Sequence, residues 1–291
     1  MNNRPPFVSV IIITFDGMEF VEACLSSVLG SVGDIPAEII VIDNGSKDGT
    51  REFIAARFPK VLIECNDRNL GFAPAVNQGF AKAHGKYIFL LNQDTKTNPT
   101  AITQLLERME KDAGIGIAGP KFIGFDGRLQ KSCRAFPRYR DLLFEFSGLS
   151  YLFPRSRTFA HWKMGWFDHL TECEVDQPMG AALMIRRELT EKIGGFDESF
   201  GMFFNDVDFC RRAKEHGYIN LYFPEAIVEH FIGGSTRKMK PRMVLASHRA
   251  MYQYFRKYNR GPIGIPALYF WGGLLFLSAL VRALFHIVSR K

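Results

Sequence analysis

Three aspartates stand directly after apolar runs that are typical of buried strands. Asp16 follows FVSVIIITF, Asp43 ends AEIIVID, and Asp94 closes KYIFLLNQD. Carboxylates at strand ends bind either the hydroxyl and amide donors of a nucleoside or a hard divalent cation. Ligands of open α/β sheets lie at the carboxyl ends of the strands. We therefore expect the three acids to line one crevice.

The turn after Asp43 reads VIDNGSKDGT, in which Asn44 and Ser46 add short hydrogen-bonding side chains. Together with Thr14 and Asp16 from the neighbouring strand end, this turn predicts a pocket for a base and a ribose. The alternative is that Asp43 serves only turn and helix-cap chemistry. Turn chemistry alone would not require acids at the two other strand ends.

The residue Asp94 could hold a metal ion. Mg²⁺ typically takes one or two carboxylates together with phosphate oxygens and water. One aspartate and a second ligand therefore suffice if the substrate carries a diphosphate. His230, at the end of the last apolar strand pattern, is the candidate second ligand. A histidine at such a place can equally be a hydrogen-bonded structural residue.

The stretch MFFNDVDFCRRAKEHG (202–217) places two acids at the start of a predicted helix. Asp208 has Arg211 and Arg212 three and four residues later, which are ion-pair positions on a helix. Asp206 has no such partner, so it is the acid that is freer to take part in chemistry. A helix-cap role for Asp206 stays open, and a helix N-terminus is expected to lower its pKa.

The elements that must position these acids alternate between strand and helix patterns. Such alternation predicts an α/β fold with a single Rossmann-like, mostly parallel sheet and helices on both faces. No GxGxxG follows the first strand and no GxxxxGK[ST] occurs, which disfavours a dinucleotide oxidoreductase and a P-loop enzyme. Strands are predicted at 7–15, 60–65, 86–94 and 114–122, and at 37–50, which ends in acid and turn residues. Residues 176–189 return to a strand pattern that runs into a helix start, and 218–230 predict a strand pair.

Between 131 and 169 the alternation stops, and the chain is rich in aromatic residues and arginine. We interpret this stretch as an irregular insertion. Its composition suits contact with a membrane interface or with an anionic lipid-linked ligand. A local cluster packed on the core is an equal alternative.

The net charge of +7 comes from the end of the chain, because His230 to Lys291 contain eleven basic residues and no acid. Residues 265–281 carry no charge and predict an apolar C-terminal helix that spans or lies on a membrane, with a buried helix as the alternative. Membrane contact is favoured over nucleic acid. Five dispersed cysteines predict reduced thiols in the cytosol, and hence a location at the cytoplasmic face of the plasma membrane.

Six segments follow one another along the chain: SVIIITF, VIDNGSKDGT, NLGFAPAVNQGF, YIFLLNQDT, MGAALMIRRE and GGFDESFGMFFNDVDFCRRAKEHGY…PEAIVEH. In this order they resemble family-2 glycosyltransferases, and more narrowly the rhamnosyltransferase-like branch of bacterial surface polysaccharide synthesis. The resemblance covers about residues 7–235.

The basic, apolar composition of 236–291 predicts a membrane-associating C-terminal segment. The resemblance implies a GT-A domain over 1–235. It also implies inversion at the sugar carbon, Mg²⁺ or Mn²⁺, a dTDP-rhamnose or UDP-sugar donor and a lipid-linked glycan acceptor, without nucleic acid. Asp206 takes the place of the catalytic base, and Asp94 that of a metal-motif acid. Implied nucleotide ligands are Thr14, Asp16, Asp43, Asn44, Ser46, Asn69 and Gly71, and the implied diphosphate or acceptor region holds Gly180, Arg237 and Lys238.

Two motifs depart from the family pattern. The metal motif reads Asn92-Gln93-Asp94, and the base motif reads Asn205-Asp206, so each motif has an amide where an acid is usual. This loss leaves a rival hypothesis: a GT-A scaffold that binds a nucleotide or a glycan with little or no turnover. A membrane-anchored nucleotidyltransferase is a weaker rival, because ITFDGMEF is not a glycine-rich, basic nucleotide loop.

Overall fold

A single mixed β-sheet with helices on both faces forms the body of the protein. The computed structural model describes residues 7–231, 240–258, 266 and 268–277. Within these residues, the strand order in the sheet is β3-β2-β1-β4-β9-β6-β10-β5, with β7 paired to β6 and β8 paired to β10. The strands are β1 (Val8–Thr14), β2 (Ala37–Asp43), β3 (Leu62–Cys65), β4 (Tyr87–Asn92), β5 (Thr95–Thr97), β6 (Ile115–Ile123), β7 (Leu129–Gln130), β8 (Cys173–Glu174), β9 (Ala182–Arg186) and β10 (Ile219–His230).

The helices connect these strands and cover both faces of the sheet. They are α1 (Val21–Val32), α2 (Thr50–Arg57), α3 (Phe72–Lys82), α4 (Ala101–Glu110), α5 (Tyr139–Phe146), α6 (Leu149–Leu152), α7 (Arg187–Ile193), α8 (Asn205–Glu215) and α9 (Lys240–Tyr258). One core packs α1, α2 and α4 on the sheet. A second core packs α3, α7 and α8 on the opposite face. Continuous apolar strands such as β1, buried at every residue, are what a sheet covered on both faces requires.

The prediction of a single, mostly parallel sheet is confirmed only in part, because the single sheet is mixed. Strands β3, β2, β1 and β4 are parallel neighbours, and β6 runs parallel to β10. However, β9 lies between β4 and β6 and runs antiparallel to both. Parallel neighbours need a crossover that carries the chain back across the sheet. The chain instead enters β9 from the edge at which β4 ends, so the sheet is mixed.

The last strand pattern was also misread, because 218–230 forms one strand rather than a pair. β10 continues from Ile219 to His230, and its register against β6 shifts between Phe223 and Ile227. Pro224 lies within this shift and cannot donate a ladder hydrogen bond, so the irregularity accommodates it. The bulge lets one strand carry His230 to the site edge of the sheet.

The segment 131–169 is partly helical, through α5 and α6, and otherwise irregular. One part of it packs on the sheet, since Cys133, Met164 and Phe167 share a small core with Tyr222. Another part is exposed: Tyr151 and Leu152 are 87% and 68% accessible. The insertion therefore contains both a packed cluster and an open apolar surface.

The chain beyond β10 is described in part. Helix α9 packs on α8, and residues 268–277 are helical and contact α9. None of the described helices is long and apolar enough to cross a membrane, so no long apolar C-terminal helix is found among them. The proposed domain boundary at 235/236 and the remainder of 265–281 lie outside the described residues.

Candidate active site

The carboxyl ends of β1, β2 and β4 meet at one edge of the sheet. Thr14 lies opposite Asp43, and Ile13 lies opposite Asn92. Because β9 is antiparallel, it begins at this same edge, with Ala182 opposite Leu91. The turns that carry Asp16, Asp43 and Asp94 therefore share one edge with the segment that leads into β9.

Asp43 is fully buried in a cradle made by its own turn. Its Oδ1 accepts hydrogen bonds from the Ser46 backbone N–H at 3.0 Å and from Arg51 Nε at 2.5 Å. Its Oδ2 is shielded from solvent and has no hydrogen-bond partner among the described residues. An orphaned polar atom costs about 1–3 kcal/mol, which a ligand N–H placed against it would offset. Arg51, which sequence reasoning missed, fixes the carboxylate from eight residues away.

Asp16 joins the first strand end to the turn after Asp43. Its backbone N–H donates to Ser46 Oγ at 2.9 Å, and its Oδ1 accepts from the Lys47 N–H at 2.9 Å. Asp16 adopts a φ of 45°, a left-handed conformation that is unusual for a residue other than glycine. Such strain persists where surrounding contacts enforce it and is found at functional sites. Its side chain is exposed at the edge of the sheet.

Two predicted nucleotide ligands, Thr14 and Asn44, are buried beneath the site, where their side chains bond to other protein groups. Thr14 is fully buried, and its Oγ1 donates to Gln93 Oε1 at 2.5 Å. Asn44 is also buried, and its Nδ2 donates to Asn69 Oδ1 at 3.1 Å and to the Gly71 carbonyl at 3.0 Å. These bonds differ from the direct ligand contact expected from the sequence. They position the exposed Asn69 and the N-terminus of α3 beside the Asp43 turn.

Gln93 is the second residue that sequence reasoning missed. Its Oε1 accepts from the Phe15 N–H at 2.9 Å, and its Nε2 donates to the Phe15 carbonyl at 3.1 Å. A Cβ on Gly17 would lie 2.1 Å from Gln93 Oε1, so a larger residue there would displace the Gln93 amide. Through these hydrogen bonds, Gln93 connects the loop that carries Asp16 to the loop that carries Asp94. The sequence feature that could have identified Gln93 is its position between the end of β4 and Asp94.

Asp94 and His230 approach each other at this edge, with 3.8 Å between Asp94 Oδ1 and His230 Nε2. Burial lowers the pKa of His230 to about 4, so its imidazole is neutral at pH 7. The other ring nitrogen, Nδ1, lies 3.1 Å from Gln130 Oε1. Gln130 Nε2 donates to the His230 carbonyl at 2.7 Å, which turns Oε1 toward Nδ1. This orientation makes Nδ1 the protonated nitrogen and leaves the Nε2 lone pair facing Asp94.

A neutral imidazole fixed by an outer hydrogen bond is how histidine ligands of metals are held. With the Asp94 carboxylate it fits a divalent cation whose remaining ligands come from a diphosphate and water. Within the described chain, no group of three His, Cys, Asp or Glu residues could hold a metal ion by itself. Asn92, at the first position of the motif, is not an acid, and its Oδ1 is buried without a partner among the described residues.

Asp206 lies at the start of α8, against the segment that leads into β9. Its Oδ2 accepts hydrogen bonds from Gln177 Nε2 at 2.8 Å and from the Gly180 N–H at 3.1 Å. The residue after Gly180, Ala181, accepts a hydrogen bond from the Asn92 N–H at 3.0 Å. Asp206 is thereby tied to the strand end that carries Asp94. Gly180, predicted to face the diphosphate or acceptor, also has a Cα hydrogen that points toward Asp206, since a Cβ there would lie 2.9 Å from Oδ2.

Desolvation raises the pKa of Asp206 above its usual value, against hydrogen bonds from Gly180, Val207, its own backbone and Gln177 that lower it. The expectation that the helix N-terminus would lower this pKa was therefore wrong in its net direction. The left-handed residue Phe204 occupies the N-cap position, and Asp206 is the second helical residue. A raised pKa makes Asp206 a better proton acceptor than an ordinary aspartate.

Asn205 explains the missing acid of the base motif. It is buried, its Oδ1 accepts from the Asp206 N–H at 2.8 Å, and its Nδ2 donates to the Gly201 carbonyl at 2.8 Å. A carboxylate could not donate to that carbonyl. The amide is thus fitted to the turn that presents Asp206, and its side chain is engaged inside the protein.

Asp208 is a structural acid, as its spacing predicted. It is fully buried, its Oδ2 accepts from Arg212 Nε at 2.8 Å, and its Oδ1 contacts Lys257 Nζ and Tyr258 Oη at 2.6 Å each. The other predicted partner, Arg211, lies instead 3.9 Å from the ring centre of Tyr258. Asp208 thereby fastens α9 to α8. Arg237 and Lys238, the predicted partners of the diphosphate, lie outside the described residues.

The chain matches the family model for glycosyl transferase family 2 over residues 9–173, more than half of its length. The protein therefore belongs to glycosyl transferase family 2 and is a glycosyltransferase, and its resemblance to the rhamnosyltransferase-like branch is supported by its curated relatives.

Among these relatives is the N-acetylglucosaminyl-diphospho-decaprenol L-rhamnosyltransferase of Mycobacterium tuberculosis. It is 26% identical over 264 residues, which cover 87% of this chain and 85% of the relative. A putative teichuronic acid biosynthesis glycosyltransferase, TuaG, of Bacillus subtilis is 31% identical over 134 residues, covering 44% of this chain and 52% of that protein.

Solved structures share the fold. The mannosyltransferase PcManGT from Pyrobaculum calidifontis, in complex with GDP-Man and Mn²⁺, aligns with a TM-score of 0.60 at 19% identity, over 99% of this chain and 75% of its own. GalNAc-T7 with UDP, GalNAc and Mn²⁺ aligns with a TM-score of 0.59 at 17% identity, over 79% of this chain and 44% of its own. These likenesses identify the α/β fold as that of GT-A glycosyltransferases.

Proposed function

We propose that this protein is an inverting glycosyltransferase that transfers rhamnose from dTDP-rhamnose to a hydroxyl of a lipid-linked glycan in surface polysaccharide synthesis. The observation that carries the proposal is the position of Asp206. A desolvated carboxylate hydrogen-bonded to the segment before β9 lies at the same sheet edge as the Asp43 cradle. The mycobacterial relative, whose name specifies an L-rhamnosyl group and a diphospho-decaprenol acceptor, supports the choice of sugar and acceptor.

The nucleotide half of the donor occupies the turn after β2 in this proposal. Asp43 Oδ2, the orphaned oxygen, accepts an N–H of the base, and the exposed Asp16 and Asn69 contact the ribose. Asp94 and His230 would hold a Mg²⁺ or Mn²⁺ ion against the diphosphate. Such an ion, when bound, neutralises the charge that develops on the leaving diphosphate. Structural neighbours that were solved with Mn²⁺ and a nucleotide or nucleotide sugar support this assignment.

Asp206 acts as the general base. Its Oδ2 already accepts two hydrogen bonds, whereas its Oδ1 accepts one, from the Val207 N–H at 2.9 Å. Oδ1 therefore has room for the acceptor hydroxyl. The hydroxyl oxygen attacks the sugar C1 from the face opposite the diphosphate, the C1–O bond to the diphosphate breaks, and Oδ1 takes the hydroxyl proton. One displacement of this kind inverts the configuration at C1.

The rival hypothesis of an inactive binding protein rested on the two acids replaced by amides. Asn205 has a defined structural task, so its identity does not argue against turnover. We also place the enzyme at the cytoplasmic face of the plasma membrane, where nucleotide sugars and lipid-linked acceptors meet. The five cysteines are all free, which supports a reducing compartment.

A donor screen tests the proposal. Purified protein is incubated with a panel of nucleotide sugars, Mg²⁺ or Mn²⁺ and a polyprenyl-diphosphate N-acetylglucosamine acceptor, and nucleotide release and product stereochemistry are measured. We expect release with dTDP-rhamnose and an inverted product. Turnover with a UDP-hexose alone would replace the proposed sugar by the runner-up. Binding of a nucleotide sugar without release under any condition would support the inactive scaffold.

A further inference from the structure

The described part of the C-terminal helical segment, 268–277, has an apolar face that is exposed. Tyr269, Phe270, Phe276 and Leu277 are 58–73% accessible. The exposed Gly273 lies three or four residues from each of them. Their spacing of three and four residues places them on one side of the helix. The opposite side packs on the protein through Trp271 and Leu275. A helix that is apolar all round is typical of a core or of a membrane environment.

The α5–α6 hairpin carries a second group of exposed apolar side chains. It comprises Leu143, Phe146, Tyr151, Leu152 and Phe153, which are 38–87% accessible. Trp271 connects the two groups, because its ring centre lies 5.4 Å from that of the exposed Phe270 and 6.2 Å from that of Phe146. Together they form what we call the apolar platform. Monomeric soluble proteins rarely expose so many large apolar side chains side by side.

The charge around the platform is positive. Arg138, Arg140, Arg155 and Arg157 are exposed along the hairpin. Of the two acids between positions 138 and 163, Asp141 is buried away from the surface and Glu145 pairs with Lys163. Arginines beside exposed aromatic rings match the interface of a bilayer that contains anionic lipids.

The platform is also fixed to the candidate base. Phe204 and Val207, which flank Asp206 in the chain, share one hydrophobic core with Leu142 of α5 and Leu275 of the C-terminal segment. Helix α9 reinforces this core through the stacking of Phe255 on Tyr139 at 4.5 Å. Gly272 allows the C-terminal segment to lie against α9, because a Cβ there would meet the Tyr252 ring at 2.8 Å. A membrane or partner that binds the platform is therefore held at a fixed position relative to Asp206.

We propose that the apolar platform seats the protein on an anionic bilayer, with α5–α6 and 268–277 lying in the interface. This inference rests on the proposed function for its purpose, because the bilayer would supply the lipid-linked acceptor to Asp206. Binding of lipid itself requires neither a donor nor turnover. Insertion strength in such surfaces grows with the buried apolar area and with attraction to anionic lipid.

Vesicle co-sedimentation of the full chain tests the platform. The probes are vesicles of phosphatidylcholine and vesicles that also contain phosphatidylglycerol. We expect the variant Tyr151→Ser/Leu152→Ser/Phe153→Ser to bind anionic vesicles at least about tenfold more weakly than the wild type, since three exposed apolar side chains are lost. Leu62→Ser is the matched control, because Leu62 is 58% accessible on β3 and outside the platform.

A second measurement tests the platform even if the triple variant does not fold. In a Cys65→Ser/Cys173→Ser background, a polarity-sensitive dye is attached to Leu152→Cys or to Leu62→Cys. We expect vesicles to shift the emission to the blue at position 152 and to leave position 62 unchanged. Equal vesicle binding by the triple variant and the wild type, or no shift at 152, would overturn the proposal. A wild type that dimerises and ignores vesicles would assign the platform to a second copy of the chain instead.

The nucleotide-release assay keeps this result separate from the proposed function. The triple variant is expected to hydrolyse donor, or to glycosylate a detergent-solubilised acceptor, at the wild-type rate. Loss of vesicle binding with intact release supports the platform. A wild type that binds vesicles but releases no nucleotide would leave the platform standing and remove the proposed activity.

Discussion

The two sides of the site are built in different ways. On the donor side, Asp43 is held by Gly45, Ser46 and Arg51, which lie two, three and eight residues away in the chain. On the other side, Asp206 is held by Gln177 and Gly180, which lie 29 and 26 residues away. Because the contacts of Asp43 are local in the chain, they form whenever this one turn folds. A base held by distant segments depends on how the whole second half of the chain folds.

This difference predicts where the enzyme is robust and where it is sensitive. Changes on the donor side should alter affinity for the donor and leave the rate of transfer from the bound state largely intact. Changes around Asp206 should alter the rate and leave donor affinity intact. Four substitutions, taken from the largest expected effect to the smallest, probe this contrast.

Asp94→Ala should lower donor affinity at least about 100-fold in the presence of Mn²⁺, because the proposed cation site would lose its carboxylate. Isothermal titration with and without Mn²⁺ measures the effect. Asp126→Ala, in an exposed loop, is the control. An Asp94→Ala protein that still binds donor in the Mn²⁺-dependent way of the wild type would remove Asp94 from the metal site.

Gly180→Ala should slow transfer by roughly 10- to 100-fold, since the new Cβ would lie 2.9 Å from Asp206 Cβ and Oδ2 and must displace the carboxylate. Donor affinity should stay within about twofold of the wild-type value. Gly30→Ala in α1 is the matched control, because a Cβ there meets no atom within 4 Å. A loss of donor affinity with an unchanged rate would contradict the division between the two sides.

Gln177→Leu should move the acidic limb of the pH–rate profile to higher pH. Gln177 donates to the ionised carboxylate of Asp206 and so lowers its pKa, and without that hydrogen bond the pKa rises further. The protonated acid cannot accept a proton, so activity at low pH is lost first. A limb that stays in place would show that another group governs it.

Asp208→Asn should have the smallest effect on transfer and a clear effect on stability. The three charge-assisted contacts to Arg212, Lys257 and Tyr258 are weakened, for a loss of roughly 2–3 kcal/mol in the free energy of unfolding. The rate of the folded protein is expected within about threefold of the wild type. Urea unfolding followed by circular dichroism gives the first quantity, and a rate per folded molecule gives the second.

The same contrast explains how far sequence reasoning could reach. The sequence allowed the acids that follow β1, β2 and β4 to be placed at one edge of the sheet, because buried β-branched runs such as β1 end in acids whose turn partners are close in the chain. The order of β4, β9 and β6 could not be predicted, because antiparallel insertion depends on where a long excursion re-enters the sheet. The contacts of Gln177 and Gly180 with Asp206 could not be predicted either. No local spacing encodes a contact across 26 residues or more.

Two further lessons come from residues whose surroundings decide their role. Thr14 and Asn44 have the residue types of nucleotide ligands, but burial turns their side chains to Gln93 and to the Asn69 loop. The pKa of Asp206 depends on the balance between desolvation and hydrogen bonds, which the sequence does not contain. The spacing rule for helical ion pairs did identify Arg212 as the partner of Asp208.

The central claim is that Asp206 takes the proton of the acceptor hydroxyl, and Asp206→Asn tests it most directly when rate, donor affinity and melting temperature are measured on one preparation. Because the folded protein raises the pKa of this acid, its ionised form costs stability at neutral pH, and the amide should not lower the melting temperature. We predict a transfer rate reduced at least about 1,000-fold, an unchanged donor affinity and a fold at least as stable as the wild type. Transfer that survives within about tenfold in a folded Asp206→Asn protein would contradict the account.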